Sequence, residues 1–188
     1  ISWWSAMEDS SRDSNRFQFE RFILTQLLVM ALKGVPAFYL PALLASKNDI
    51  KSFSMTGQRR DLNREKFKSE TVLSVLNNPE SNANKNLKFL RNAMDVRSEL
   101  KQFHPCSEMH CLSRGRSDIV VVKRGNGPDP IFAIHNMTEN KINYQLNDID
   151  LPKLIVNDFN MQDFLASTKY NCKNISLDPF QVVWLASL

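Results

Sequence analysis

Apolar and polar positions set several rhythms along the chain. Residues 5–16 are small and polar and read as a loop. From Phe17 to Leu32 apolar residues crowd together among good helix formers, with no Gly or Pro. A helix is expected there, stopping near Lys33-Gly34, where glycine suits a helix end. Val35–Leu40 is short, β-branched and aromatic, and bounded by Gly and Pro, so it reads as a buried strand. Pro36 has no N–H for a ladder and belongs at that strand's start. Residues 47–69 are polar and predict a long loop with little regular structure. Ser69–Leu76 predicts a short helix, and residues 77–81 a break. Asn86–Phe103 predicts an amphipathic helix. Leu87, Leu90, Met94, Arg97 and Leu100–Lys101 recur at its period, and Pro105 ends it.

Beyond Pro105 the pattern turns to short β-rich runs: 119–122, 131–134, 142–146, 154–156 and 180–185. Gly125–Pro128 and Asn136–Asn140 supply turns. Five strands at hairpin-like spacing predict an antiparallel sandwich. The chain therefore divides near residue 105, into 1–104 and 105–188, with no internal repeat and no low-complexity tract.

Phe22–Ala45 is apolar over a length that would span a bilayer. Lys33, Gly34, Pro36 and Pro41 break it in the middle, and a helix followed by a buried strand explains the same residues. The 188 residues suffice for one domain or two small ones with a real core. The formal charge is +4, with basic residues scattered except for Arg59, Arg60 and Arg64. No clustered basic face or recognisable module points to nucleic acid. Three cysteines, Cys106, Cys111 and Cys172, with no signal peptide, argue against a disulfide framework and for a cytoplasmic protein. Asn136-Met-Thr138 and Asn174-Ile-Ser176 match the short glycosylation pattern.

His104, Cys106, His110 and Cys111 are zinc-ligand types at short spacing. They lack a Cys-x-x-Cys pair, and His110 and Cys111 would point apart in a strand, so no metal is expected. Trp3, Trp4 and Trp184 are read as core or interface side chains before sugar-stacking ones.

A resemblance rests on several segments in order. Gly34-Val-Pro-Ala-Phe-Tyr-Leu40 is followed by Asn48-Asp49 and by Thr56-Gly-Gln-Arg-Arg-Asp-Leu-Asn-Arg64. Trp4-Ser-Ala-Met-Glu-Asp9 precedes them. Phe132-Ala-Ile-His-Asn-Met-Thr138 and Leu177-Asp-Pro-Phe-Gln-Val-Val-Trp-Leu185 come after. Together they resemble the C-terminal part of a sucrose phosphorylase-like glycoside phosphorylase of the α-amylase superfamily, whose relatives include glucosylglycerate and sucrose 6-phosphate phosphorylases. The departures are Ser2-Trp3, Leu40-Pro41, and Arg59 where many relatives carry a small residue.

The resemblance implies an α+β fragment: the end of a (β/α)8 barrel, with its last helices and eighth strand in 1–104, then a small antiparallel β-sandwich domain in 105–188. Barrel active sites lie on the loops at the C-terminal ends of the strands, so the loop 41–68 would face one. The implied reaction is retaining transfer of glucose from an α-glucoside such as sucrose to phosphate, giving α-glucose 1-phosphate. The partners implied are a sugar substrate, inorganic phosphate and an N-terminal barrel portion. No cofactor, membrane or nucleic acid is implied. By the same resemblance the catalytic carboxylates lie upstream, and this chain alone is expected to be inactive. Glu65, Glu70 and the Asp148–Asp150 pair are read as solvated charges. Arg60 matches the family Arg that holds glucose hydroxyls in the donor subsite. Asp61, Asn63 and Arg64 would brace the loop, and Glu8 and Asp9 would border the acceptor sugar or phosphate. The competing expectation is a stand-alone, non-catalytic carbohydrate-binding or interaction module.

Overall fold

The computed structural model describes residues 1–8, 16–113, 115–146 and 160–187. Its contacts divide the chain into two compact units. One comprises 1–23 and 37–92; the other comprises 24–36 and 93–188.

The first unit opens with α1 (Trp3–Ala6), capped by Ser2, whose hydroxyl accepts from the Ser5 amide. α2 (Gln18–Ala31) begins here and continues into the second unit. Phe22, Ile23, Leu24, Leu27, Met30 and Ala31 are all buried, as a helix apolar around most of its girth requires. Trp4 meets Phe22 edge to face at 5.1 Å, beside Ala42 and Ala45. Each large side chain removed from water there contributes roughly 1.5–3 kcal/mol. Asn48 ties the following loop to α1: its side-chain oxygen accepts from the Ser2 amide, and its own amide donates to Ser5 Oγ.

The unit also contains α3 (Leu40–Leu43), α4 (Ile50–Thr56), α5 (Ser69–Asn77) and the start of α6 (Asn82–Glu99). Asn86 on α6 is buried and donates to the carbonyls of Ala42 and Leu43, closing the open end of α3. Ser81 caps α6 by accepting from the Asn84 amide. The α2 and α5 expectations hold within a residue or two. α6 starts four residues earlier than expected, because Ser81 provides the cap.

Two expectations need correction. Val35–Leu40 is not a buried strand. Residues 35–39 form no helix or strand, Val35 is 79% exposed, and α3 begins at Leu40. A strand is held by its ladder, and no described residue pairs with this segment. Nor are residues 47–69 mostly irregular. Asp49 caps α4 by accepting from the Ser52 amide at 2.9 Å, and Gly57 ends it in the left-handed region at φ 67°.

The second unit carries eight strands among the described residues: β1 (Met109–Cys111), β2 (Ile119–Arg124), β3 (Ile131–Asn136), β4 (Ile142–Tyr144), β5 (Asn160–Asp163), β6 (Lys169–Asn171), β7 (Ile175–Leu177) and β8 (Val182–Ser187). One sheet has the order β1-β2-β3-β8-β5-β6, a second pairs β4 with β7, and every pairing is antiparallel. The expected α+β class with an antiparallel β part is thus borne out. The run 154–156 lies outside the described residues.

Register sorts the large sheet into two faces. Ile119, Val121, Phe132, Ile134, Val183 and Leu185 share one, and they form a core with Ile175 and Leu177 of the small sheet. The opposite face carries Val122, Arg124, Ile131, Ala133, His135 and Trp184. β3 is buried on both faces, which is why it reads as an unbroken apolar run. On the second face Phe103 packs against Trp184, rings tilted at 48° with centroids 4.6 Å apart.

Two arginines close the end of α2. Arg124 is fully buried and donates to the carbonyls of Ala31, Leu32 and His104. Arg97 donates to those of Met30 and Gly34. The last carbonyls of a helix lack partners within it and carry the negative end of its dipole, so a forked cation suits them. Burial, with the charge of Arg97 close by, lowers the Arg124 pKa; burial lowers that of Arg97.

Candidate functional site

Among the described residues the exposed cations gather most densely at the loop after α4. The sequence builds a braced platform here. The Asp49 amide donates to the Leu62 carbonyl, and Thr56 Oγ1 lies 2.6 Å from Asp61 Oδ2 and 3.0 Å from the Ser52 carbonyl, sharing its one proton between them. These bonds fold Arg59–Asn63 into a short 3-10 turn. Asp61 is thus a brace, as expected. Asn63 and Arg64 instead line an open hollow of about 420 Å³ together with Ile1, Tyr39, Arg59 and Arg60.

Arg59, Arg60 and Arg64 are exposed, and no described carboxylate pairs with any of them. Three guanidinium forks, a phenol and a carboxamide therefore share one concavity, a set able to donate many hydrogen bonds to oxygen atoms. Glu8 is exposed and is not among the residues lining this hollow; Asp9 lies outside the described residues. Sequence reasoning missed Tyr39 and Ile1, which are remote in sequence and carry no motif of their own. It also missed α4, although Asp49 and Gly57 were legible as a cap and a stop.

A second pocket, of about 250 Å³, lies between Leu44, Ala45, Phe67, Val72, Val75 and Glu65. Burial, reinforced by the negative charge of Asp49, raises the Glu65 pKa. Asp49 is itself engaged as the α4 cap, and its bonds with Ser52 lower its pKa.

The other candidates are dispersed or used internally. His104 Nδ1 accepts from the Cys106 amide, His110 faces Asn126 at 3.2 Å, and Cys111 lies 3.5 Å from Ser113. That contact lowers the Cys111 pKa. No group of three or more His, Cys, Asp or Glu able to hold a metal occurs among the described residues. No described helix is long and apolar enough to cross a membrane. Trp4 and Trp184 are core residues. Asn136 is buried, and its amide donates to the carbonyls of Asn140 and Asp178 while its oxygen accepts from Thr138. That leaves it inaccessible to a sugar-transferring enzyme, unlike exposed Asn174.

The structure resembles trehalose-6-phosphate hydrolase of Bacillus licheniformis with a TM-score of 0.66 at 13% identity, over 94% of this chain and 40% of that one. Its structural neighbours are α-amylase family enzymes. No protein-family profile matches the chain.

Sequence similarity is more particular. The chain is 28% identical to glucosylglycerate phosphorylase of Allomeiothermus silvanus over 130 residues, 69% of this chain and 23% of the relative. It is 23% identical to glucosylglycerate phosphorylase of Escherichia coli over 166 residues, 88% of this chain and 28% of the relative. It spans about a quarter of the length of these relatives and matches a C-terminal part of them. The resemblance to the C-terminal part of a glycoside phosphorylase is thereby borne out.

Proposed function

We propose that this chain forms the C-terminal part of a retaining glycoside phosphorylase, which moves glucose from an α-glucoside to phosphate and yields α-glucose 1-phosphate. The observation that carries the reading is the match to glucosylglycerate phosphorylases over most of this chain. In this reading residues 1–104 complete the barrel and 105–188 form the β domain. Retaining chemistry needs two carboxyl groups about 5–5.5 Å apart across the glycosidic bond. Asp49 is engaged as a helix cap and Glu65 lines the smaller pocket, so the reading assigns the nucleophile and the acid/base to a barrel portion outside this sequence. Sucrose and glucosylglycerate are the donors to try first.

Arg60 would hold glucose hydroxyls: its fork donates several bonds from one side chain, and the braced turn fixes its backbone. Glu8 and Asp9 would border the acceptor. Val35 and Tyr39, 79% and 51% exposed, would be covered by neighbouring barrel strands. The three free cysteines fit a reducing cytoplasm.

The test is immunoprecipitation from the cells that make the protein, with an antibody against 160–187. A full barrel adds roughly 250 residues, so the species should run far above 21.7 kDa and form glucose 1-phosphate from glucoside and phosphate. A 21.7 kDa species without turnover would leave a binding or interaction module as the reading.

A further inference from the structure

The turn between β2 and β3 holds the single Asn-Gly step of the sequence, Asn126-Gly127. The pairing of β1 with β2 sets His110 opposite Lys123 and Met109 opposite Arg124, and the Gly125 amide then donates to the Glu108 carbonyl at 2.9 Å. Side chains two apart in extended backbone share a face, so Glu108 and His110 both reach this turn. Asn126 bonds the two of them. Its Nδ2 donates to Glu108 Oε2, and its Oδ1 lies 3.2 Å from His110 Nε2. A carboxamide oxygen only accepts, so the imidazole carries a proton on Nε2 and donates it. Glu108 Oε2, 3.4 Å from the same nitrogen, keeps the ring in place. The next residue supplies an open nucleophile. Gly127 is exposed, has no side chain to shield its amide nitrogen, and donates that amide to no described partner.

We propose that Asn126-Gly127 is a self-modification site, where the chain cyclises to a succinimide and reopens in aspartyl and isoaspartyl forms with assistance from His110. The Gly127 nitrogen gives its proton to water or hydroxide and bonds to Asn126 Cγ. The displaced electron pair moves onto Oδ1, where the His110 N–H steadies the oxyanion. The pair returns as the Cγ–Nδ2 bond breaks, and Nδ2 leaves as ammonia with a proton from solvent. Water then adds to one or other imide carbonyl. Opening at Cγ restores the main chain and leaves a carboxylate on the side chain. Opening at the backbone carbonyl routes the main chain through the side-chain carbons instead. Nothing is oxidised or reduced, and water is the only co-reactant. Either product replaces the donor to Glu108 with a second negative charge, which repels it and loosens the tie between the turn and β1. None of this depends on sugar transfer, so the site stands whether or not the phosphorylase reading does.

The test incubates the protein, purified from its own cells, in neutral buffer made with heavy-oxygen water, and maps its peptides by mass spectrometry. The peptide holding Asn126 should exchange its amide for a labelled carboxyl, as two separable products, with ammonia released. It should do so faster than the peptides holding Asn140 and Asn174, which are also exposed but precede Lys141 and Ile175. His110→Phe, which removes the donor, should slow conversion about tenfold, short of the roughly 100-fold that a buried oxyanion donor supplies, because this one is exposed. His110→Gln keeps an N–H and should slow it less. Gly127→Ala, whose Cβ would meet Asp129 Oδ1 at 3.3 Å, should slow it as well.

Label at Asn126 no faster than at Asn140 and Asn174 would overturn the proposal. So would equal rates in the wild type and His110→Phe, which would leave only the reactivity of the dipeptide itself. Should His110→Phe fail to fold, the labelling of Asn126 against Asn140 and Asn174 decides alone.

Discussion

Replacing Arg124 by Met keeps the apolar stem of the side chain but removes its head and every donor. In the wild type that guanidinium donates to three carbonyls at 2.7–3.0 Å and lies 5.6 Å from the Phe103 ring centroid. Hydrogen bonds to a charged group contribute about 1.5–3 kcal/mol each, and a cation over an aromatic ring about 1 kcal/mol. The gross loss is therefore at least about 5 kcal/mol. Against it stands the relief of burying a charge, several kcal/mol, with Arg97 close enough to repel it. The balance favours the wild type by about 2–4 kcal/mol, because the substitution strands carbonyls at the end of α2 with no replacement donor. Native-state amide exchange in β3 and β8 reads this directly, and protection there should fall roughly 30- to 1,000-fold. Arg124→Lys, with one compact donor head for three diverging carbonyls, should fall between the two. A Met variant protected within about twofold of the wild type would refute the capping argument. It would mean that the buried charge costs as much as its bonds return.

Three further outcomes follow from single side chains. His135 is fully buried on β3, and desolvation pushes its pKa from 6.5 to about 4. Between those values the unfolded chain binds more protons, so stability should rise with pH, by up to about 3 kcal/mol in total. Burial raises the Asp163 carboxyl and gives the opposite slope, so urea titrations of His135→Gln against the wild type isolate the histidine; an unchanged slope would contradict its depressed pKa. Asp49→Ala removes the α4 cap and should cost about 1 kcal/mol, with faster exchange at the α4 amides; unaltered exchange there would count against the cap. Asn136→Ala leaves the carbonyls of Asn140 and Asp178 without their donor and should lower stability by about 2–4 kcal/mol in a urea titration; a loss under about 0.5 kcal/mol would show that water replaces it.

Local signals carried far into the structure. The Phe17–Leu32 periodicity marks α2 because its burial is nearly continuous, and the runs at 119–122 and 131–134 mark β2 and β3 because hidden strands are apolar on both faces. β1, β5, β6 and β7 escaped because each is three or four residues of mixed polar and apolar type, with no apolar run to mark it. Val35–Leu40 has the composition of a strand, yet strand formation depends on neighbours that composition does not supply. Arg60 was singled out only through a resemblance. The hollow around it was not, since Tyr39 and Arg59–Arg64 meet through the bonds of Asp49, Thr56 and Asp61 across a stretch that reads as plain loop.

The motifs behind the resemblance do different physical work. In the β part, Asn136 bonds carbonyls and an amide of its own turns, Trp184 packs against Phe103, and Asp163 accepts from the Trp184 amide at 2.9 Å. Both terminal nitrogens of Arg124 are bound to backbone carbonyls. Buried side chains bonded to backbone in this way hold a frame and are closed off from a ligand. The loop after α4 is the reverse case. Its small polar residues Asp49, Thr56 and Asp61 bond one another, while Arg59, Arg60 and Arg64 project into a hollow with no described acid to neutralise them. Exposed charges gain little from surface pairing, so leaving three uncompensated costs the fold little stability. It keeps their donors available to oxygen atoms from outside the chain. On that ground the loop has donors left to offer, and these side chains of the β domain have few.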